Sequence, residues 1–145
     1  MRESYQVIIS AVDGSENSRK SFRRALQITK ANETKLILVS IVDSSKSSSG
    51  IRYGIDLVEE EMEEISAKLD NFVKEAKEEY EFTDIEVFVQ KGYPKSTLVD
   101  TIIPHFNADL IVMGASGYNA IERVLIGSIS EYVTRNATCD VLIVR

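Results

Sequence analysis

The chain has 145 residues, with 17 Lys and Arg against 23 Asp and Glu, a formal net charge of -6. That length predicts a single domain over residues 1–145, large enough to bury an ordinary core without disulfides or a structural metal. A lone cysteine, Cys139, and a lone histidine, His105, exclude an intrachain disulfide and the cysteine-rich or multi-histidine metal sites. The acidic balance argues against non-specific wrapping of nucleic acid. No apolar run approaches the roughly 18 residues of a membrane span, and no signal peptide is visible, so a cytoplasmic location is expected.

In chain order, the first strand is expected over Tyr5 to Val12. A helix follows from near Glu16, with Phe22, Ala25, Leu26 and Thr29 on one face. Lys35 to Val42 reads as the second strand. Residues 43–56, rich in serine and glycine, read as one long irregular loop of the kind used for lids, binding loops or linkers. Val58, Met62, Ile65, Leu69, Phe72, Ala76 and Tyr80 then step by four and three, the stripe of a long helix packed on a sheet. Ile85 to Gln90 is the third strand. A helix opens near Pro94 and fades by Pro104 or His105. Leu110 to Met113 is the fourth strand, Ser128 to Asn136 the last helix, and Val141 to Val144 the fifth strand. Strands alternating with helices predict parallel βαβ units. The expected fold is α/β: a Rossmann-like, five-stranded parallel sheet ordered 3-2-1-4-5 with helices on both faces.

The charge is segregated. Residues 56–86 hold three basic and thirteen acidic side chains, a local -10, whereas residues 87–145 hold five of each. The run Glu59, Glu60, Glu61, Glu63 and Glu64 falls at the start of the long helix, where carboxylates suit the helix dipole, and reads as a solvated face. Arg19, Lys20, Arg23 and Arg24 read the same way on the first helix.

In open parallel sheets, ligands bind beyond the carboxyl ends of the strands at the switch point, here between the first and fourth. Asp13-Gly14-Ser15 follows the first strand. It is either a ligand-facing carboxylate on a tight turn or simply a helix N-cap. Gly114 and Gly117 follow the fourth strand, and Gly127 and Ser128 open the last helix. Bare glycine backbone and a helix N-terminus both cradle anions. Two such elements on one connection fit a phosphate chain, although glycine spacing by itself is equally compatible with a plain loop.

The spacing Gly-x2-Gly-x9-Gly-Ser from Gly114 to Ser128 resembles the nucleotide-binding motif of the universal stress protein family. Ile8 to Ser15, the Gly92-Tyr93-Pro94 turn, Ile129 to Val133 and Cys139 to Val144 also resemble that family, so the likeness spans the chain. The resemblance implies ATP binding and a homodimer paired through the C-terminal strand; apart from it, Asp13 could hold a Mg2+ ion through the phosphates. The resemblance also implies Asp13 near the ribose, Ile41 offering backbone groups to the adenine, and Met113 and Gly114 beside the ribose. Gly117, Gly127, Ser128 and Ile129 would hold the phosphates. Asn136 and Asp140 depart from the His or Arg and the Pro that many members carry there. Both lie outside the glycine motif and bear on the final turn and strand.

The expected function is that of a non-enzymatic, ATP-dependent regulator in stress adaptation. A slow ATP hydrolase using the same site is the alternative. It is disfavoured because the chain has no Walker A lysine and no evident base to orient water. A receiver module would need an Asp at the end of the third strand, which instead reads Gln90-Lys91-Gly92. His105 has no visible catalytic partner, and Cys139 reads as a small packing residue. Arg123, Tyr53 and Tyr118 are weaker ligand candidates.

Overall fold

The computed structural model describes residues 4–46, 51–52, 55–115 and 126–145. Five strands, β1 (Val7–Ala11), β2 (Lys35–Asp43), β3 (Ile85–Gly92), β4 (Leu110–Gly114) and β5 (Asp140–Val144), form one parallel sheet. Its spatial order is β3-β2-β1-β4-β5, the predicted 3-2-1-4-5. β1 is central, pairing Ile9 with Ile37 on one side and with Ile111 on the other.

Period-two alternation divides the core between the two faces of the sheet. Ile8, Leu36, Leu38, Leu110 and Val112 face α1 (Glu16–Ala31) and α2 (Leu57–Tyr80). Ile9, Ala11, Ile37, Val39, Ile111 and Met113 face the opposite way, toward α3 (residues 94–106) and α4 (Ser128–Asn136). The chain winds outward from β1 to β3, then crosses back to β4 and β5, which places the later helices on the second face.

Local chemistry fixes the helix ends. The Ser15 hydroxyl caps α1 by accepting from the Ser18 amide at 3.2 Å. Beyond the other end of α1, Asn32 donates its side-chain amide to the Ile28 carbonyl and accepts from the Tyr5 amide. α3 is helical from Pro94, widens to a π-turn over Thr97–Ile102, and returns to α-geometry over Ile103–Phe106. The widened turn ends two residues before Pro104 and contains Asp100, the residue four back whose carbonyl the proline ring would meet in a regular helix. The helix therefore runs through Pro104 instead of fading there, and stops at Asn107, which adopts the left-handed conformation at φ 53°.

Two other expectations are corrected. The 43–56 stretch is not wholly irregular: Ser44–Lys46 form a 3-10 turn, and Ile51–Arg52 pair antiparallel with Ile55–Asp56. The basic face of α1 is not simply solvated. Arg23 Nε donates to Glu75 Oε1 at 2.6 Å, and Arg19 Nη1 lies 3.8 Å from Glu75 Oε2. Glu75 is buried between the two helices, and the Arg19 guanidinium covers the Phe72 ring at 5.0 Å. The Glu75 hydrogen bond raises the Arg23 pKa further above its ordinary value.

Candidate functional site

At the carboxyl end of the sheet, on the α3/α4 face, a cleft of about 120 Å3 opens where β1 and β4 diverge. Ala11, Val12 and Asp13 form one wall, Met113 and Gly114 a second, and Val39 and Ile41 of β2 a third. Pro94 and Leu98 of α3 face Ile129 and Ser130 of α4 across it. These five separate chain segments converge there because the sheet order reverses at β1.

Asp13 begins a tight turn. One carboxylate oxygen accepts the Ser15 amide at 2.9 Å. Gly14 takes φ +85°, a left-handed conformation that glycine adopts freely. A Cβ at Gly14 would also stand 3.0 Å from Lys68 Cδ, because α2 rests against this turn. Both readings of Asp13-Gly14-Ser15 hold together: Ser15 caps α1, and Asp13 lines the cleft.

On the opposite wall, the Ser130 hydroxyl donates to the Gly114 carbonyl at 2.7 Å, binding the start of α4 to the end of β4. Gly127 is the N-cap residue of α4 and has no capping side chain. Its own amide donates to the Ala115 carbonyl, so it is engaged within the chain and not turned to a ligand. The amides without an intrahelical acceptor at this end are those of Ser128, Ile129 and Ser130. Ile129 is 36% exposed despite its size and flanks the cleft.

Of the predicted site residues, Asp13, Ile41, Met113, Gly114 and Ile129 line this one cleft. Ser128 lines an adjoining chamber, and Gly127 donates to the Ala115 carbonyl beside it. Gly117 lies outside the described residues, as do Tyr53, Tyr118 and Arg123. Sequence reasoning missed Ser18, Pro94, Leu98 and Ser130, all of which line the cleft. Pro94 and Leu98 carried a signal, since a helix opening just after the third strand must pass the switch point. His105 lies away from the cleft, with its ring 4.7 Å from Phe106 and 6.2 Å from Phe88. Cys139 packs under α4, and burial pushes its thiol pKa above the ordinary value, the reverse of what a nucleophile needs.

The family model described as the universal stress protein family matches residues 4–145. The chain belongs to that family. A Staphylococcus aureus relative, provisionally named a universal stress protein, is 39% identical over 142 residues, spanning 98% of this chain and 85% of the relative. Among solved structures, universal stress protein UspA from Lactobacillus plantarum is 26% identical with a TM-score of 0.73, covering 99% of this chain and 100% of that one. A universal stress protein crystallised in complex with cAMP is 28% identical with a TM-score of 0.65, covering 99% and 98%. Among the described residues, no helix is long and apolar enough to cross a membrane.

Proposed function

We propose that this protein binds ATP in the cleft between β1 and β4 and acts as a nucleotide-dependent regulator in stress adaptation. The observation that carries the reading is the convergence of Asp13, Ile41, Met113, Gly114 and Ile129 on one cleft beside the first turn of α4. The side chains suit an adenine nucleoside. Val39, Leu98, Met113 and Ile129 give the base an apolar enclosure. The Asp13 oxygen not used by the Ser15 amide is an acceptor for a ribose hydroxyl. The first amides of α4 favour an anion. The likeness to a universal stress protein that binds cAMP supports the same ligand class. Mg2+ would enter with the phosphates, and the role is regulatory, with ATP shifting the balance between two conformations or two partner affinities.

Calorimetry with ATP, ADP, AMP and cAMP, with and without Mg2+, tests this reading. Binding below millimolar is expected, and its absence for all four sinks the proposal. Gly127→Val should lower ATP affinity at least tenfold, because a branched side chain would crowd the phosphate approach and the Ala115–Gly127 contact. Phosphate release that tracks protein and is lost in Asp13→Asn would instead favour the slow hydrolase.

The partner we propose is a second copy of the chain, joined at β5. β5 is an edge strand, and Val141 to Val144 are each only half-buried. Apolar edges of this kind are normally covered. Sedimentation at tens of micromolar should give a dimer, and a monomer there refutes the pairing.

A further inference from the structure

The cleft is too small for the ligand assigned to it. At about 120 Å3 it falls below the roughly 300 Å3 at which small-molecule sites begin. A nucleoside triphosphate must therefore extend beyond it. The adjoining chamber, about 480 Å3, shares Pro94 and Ile129 with the cleft. It runs outward along β2, from Ile41 in the cleft to Asp43 in the chamber, between the start of α3 and the first turn of α4.

Among the described residues, the one cationic side chain lining the chamber is Lys95, which shares that lining with Ser128. Lys95 is exposed, and no ion pair or hydrogen bond engages it among the described residues. The acidic group in the chamber, Asp43, has its Oδ1 turned to the Ser45 amide at 2.9 Å. Ser96 and Tyr93 add hydroxyls beside the lysine. Among the described residues, the glycine motif and the helix terminus offer amides and the Ser128 hydroxyl to a phosphate chain, and Lys95 adds a full charge to them.

We propose that Lys95 is a ligand-binding residue for the phosphate chain, setting the preference for ATP over AMP and adenosine. This rests on the nucleotide reading above and goes beyond it by naming a residue outside the glycine motif. The geometry fits a flexible ammonium reaching across an open chamber to a mobile polyphosphate. Arginine's bidentate fork is not required there.

Titration of the wild type and of Lys95→Ala with adenosine, AMP, ADP and ATP tests the assignment. The wild type should bind more tightly with each added phosphate. Lys95→Ala should bind adenosine within twofold of the wild type but lose about tenfold for ATP, the worth of one charge-assisted contact. Lys95→Arg should restore much of the preference, and Lys95→Glu should abolish it. Because the side chain is exposed, thermal melts of all three variants should match the wild type, separating a ligand effect from a folding one. A wild type that binds none of the four ligands overturns the nucleotide reading and this assignment with it. A wild type that prefers ATP, with the same preference in Lys95→Ala, overturns the role of Lys95 and leaves the nucleotide reading standing. A wild type that binds adenosine and ATP equally also overturns it, because no phosphate contact then contributes.

Discussion

Under α1 and α2, Phe22 and Phe72 sit with ring centroids 5.1 Å apart over fully buried Ile8, Leu36 and Leu38, and the two helices are fastened by Glu75 between Arg19 and Arg23. Lys30 adds a 2.6 Å hydrogen bond from the end of α1 to the Tyr80 carbonyl at the end of α2. Under α3 and α4, the same sheet is covered near its middle by Leu98, Ile102, Ile103 and Val133 but opens at its carboxyl end into the cleft. The helices on that face are a π-widened α3 and a nine-residue α4, against the 16 and 24 residues of α1 and α2. One face packs its side chains over the sheet, with Leu57 exposed at the start of α2 and Val87 on the edge strand β3. The other leaves Ile129 part-exposed at the cleft itself, where a ligand would cover it.

The contrast predicts that stability and ligand affinity respond to substitutions on different faces. Phe72→Ala should have the largest effect, a loss of about 3–5 kcal/mol in urea unfolding, with the affinity of the folded fraction for ATP unchanged. Coupled losses of both would mean that the closed face also shapes the cleft. Glu75→Ala comes next. It strips two arginines of their carboxylate, and a loss of about 1–3 kcal/mol is expected. Arg19 and Arg23 keep some solvent contact, so the cost stays below that of a fully buried pair. On the open face, Ile129→Ser should change stability by no more than about 0.5 kcal/mol while weakening adenosine binding several-fold. A large loss of stability there would erase the distinction between the two faces.

The smallest expected effect concerns Cys139. Its thiol pKa is raised in the folded protein by burial. In the unfolded chain the thiol ionises near its ordinary value of about 8.5. The folded protein therefore has the benefit of a neutral buried thiol in full below that pH, and loses it as pH rises through the higher folded value. The urea midpoint of the wild type should fall more steeply between pH 8 and pH 10 than that of Cys139→Ala. Parallel curves for the two proteins would contradict it.

Strand order and helix placement were legible because alternating apolar runs and helical stripes leave few topologies for a parallel sheet. Asp13 and Gly114 stood out from their places after the first and fourth strands, whereas Ile41, Met113 and Ile129 entered only through the family likeness, which converted weak glycine spacing into specific positions. The rest depends on contacts distant in sequence. Arg23 and Glu75 lie 52 positions apart, and no local pattern joins them. The engagement of the Gly127 amide requires the chain to fold back on Ala115, whereas glycine content alone suggested a free donor. The π-turn of α3 reflects a conflict between continuing the helix and accommodating Pro104, and the sequence displays the conflict but not its resolution. The short pairing at 51–56 was hidden by serine-rich flanks that read as plain loop.

Asp109 has a consequence for how the protein is made. Its carboxylate accepts the amides of Gln6 and Val7, its amide donates to the Val7 carbonyl, and its own carbonyl accepts the Asp140 amide. A single residue thus ties together the beginnings of β1, β4 and β5. During synthesis β1 emerges first and can pair with β2 as soon as Lys35–Asp43 appears. Its other edge stays bare until Leu110–Gly114 arrives, about a hundred residues later. For most of translation the future centre of the sheet is therefore an exposed edge, and such edges recruit other chains. Assembly of this protein is completed from its last third, when Asp109 arrives to fix the register of the strand that was made first.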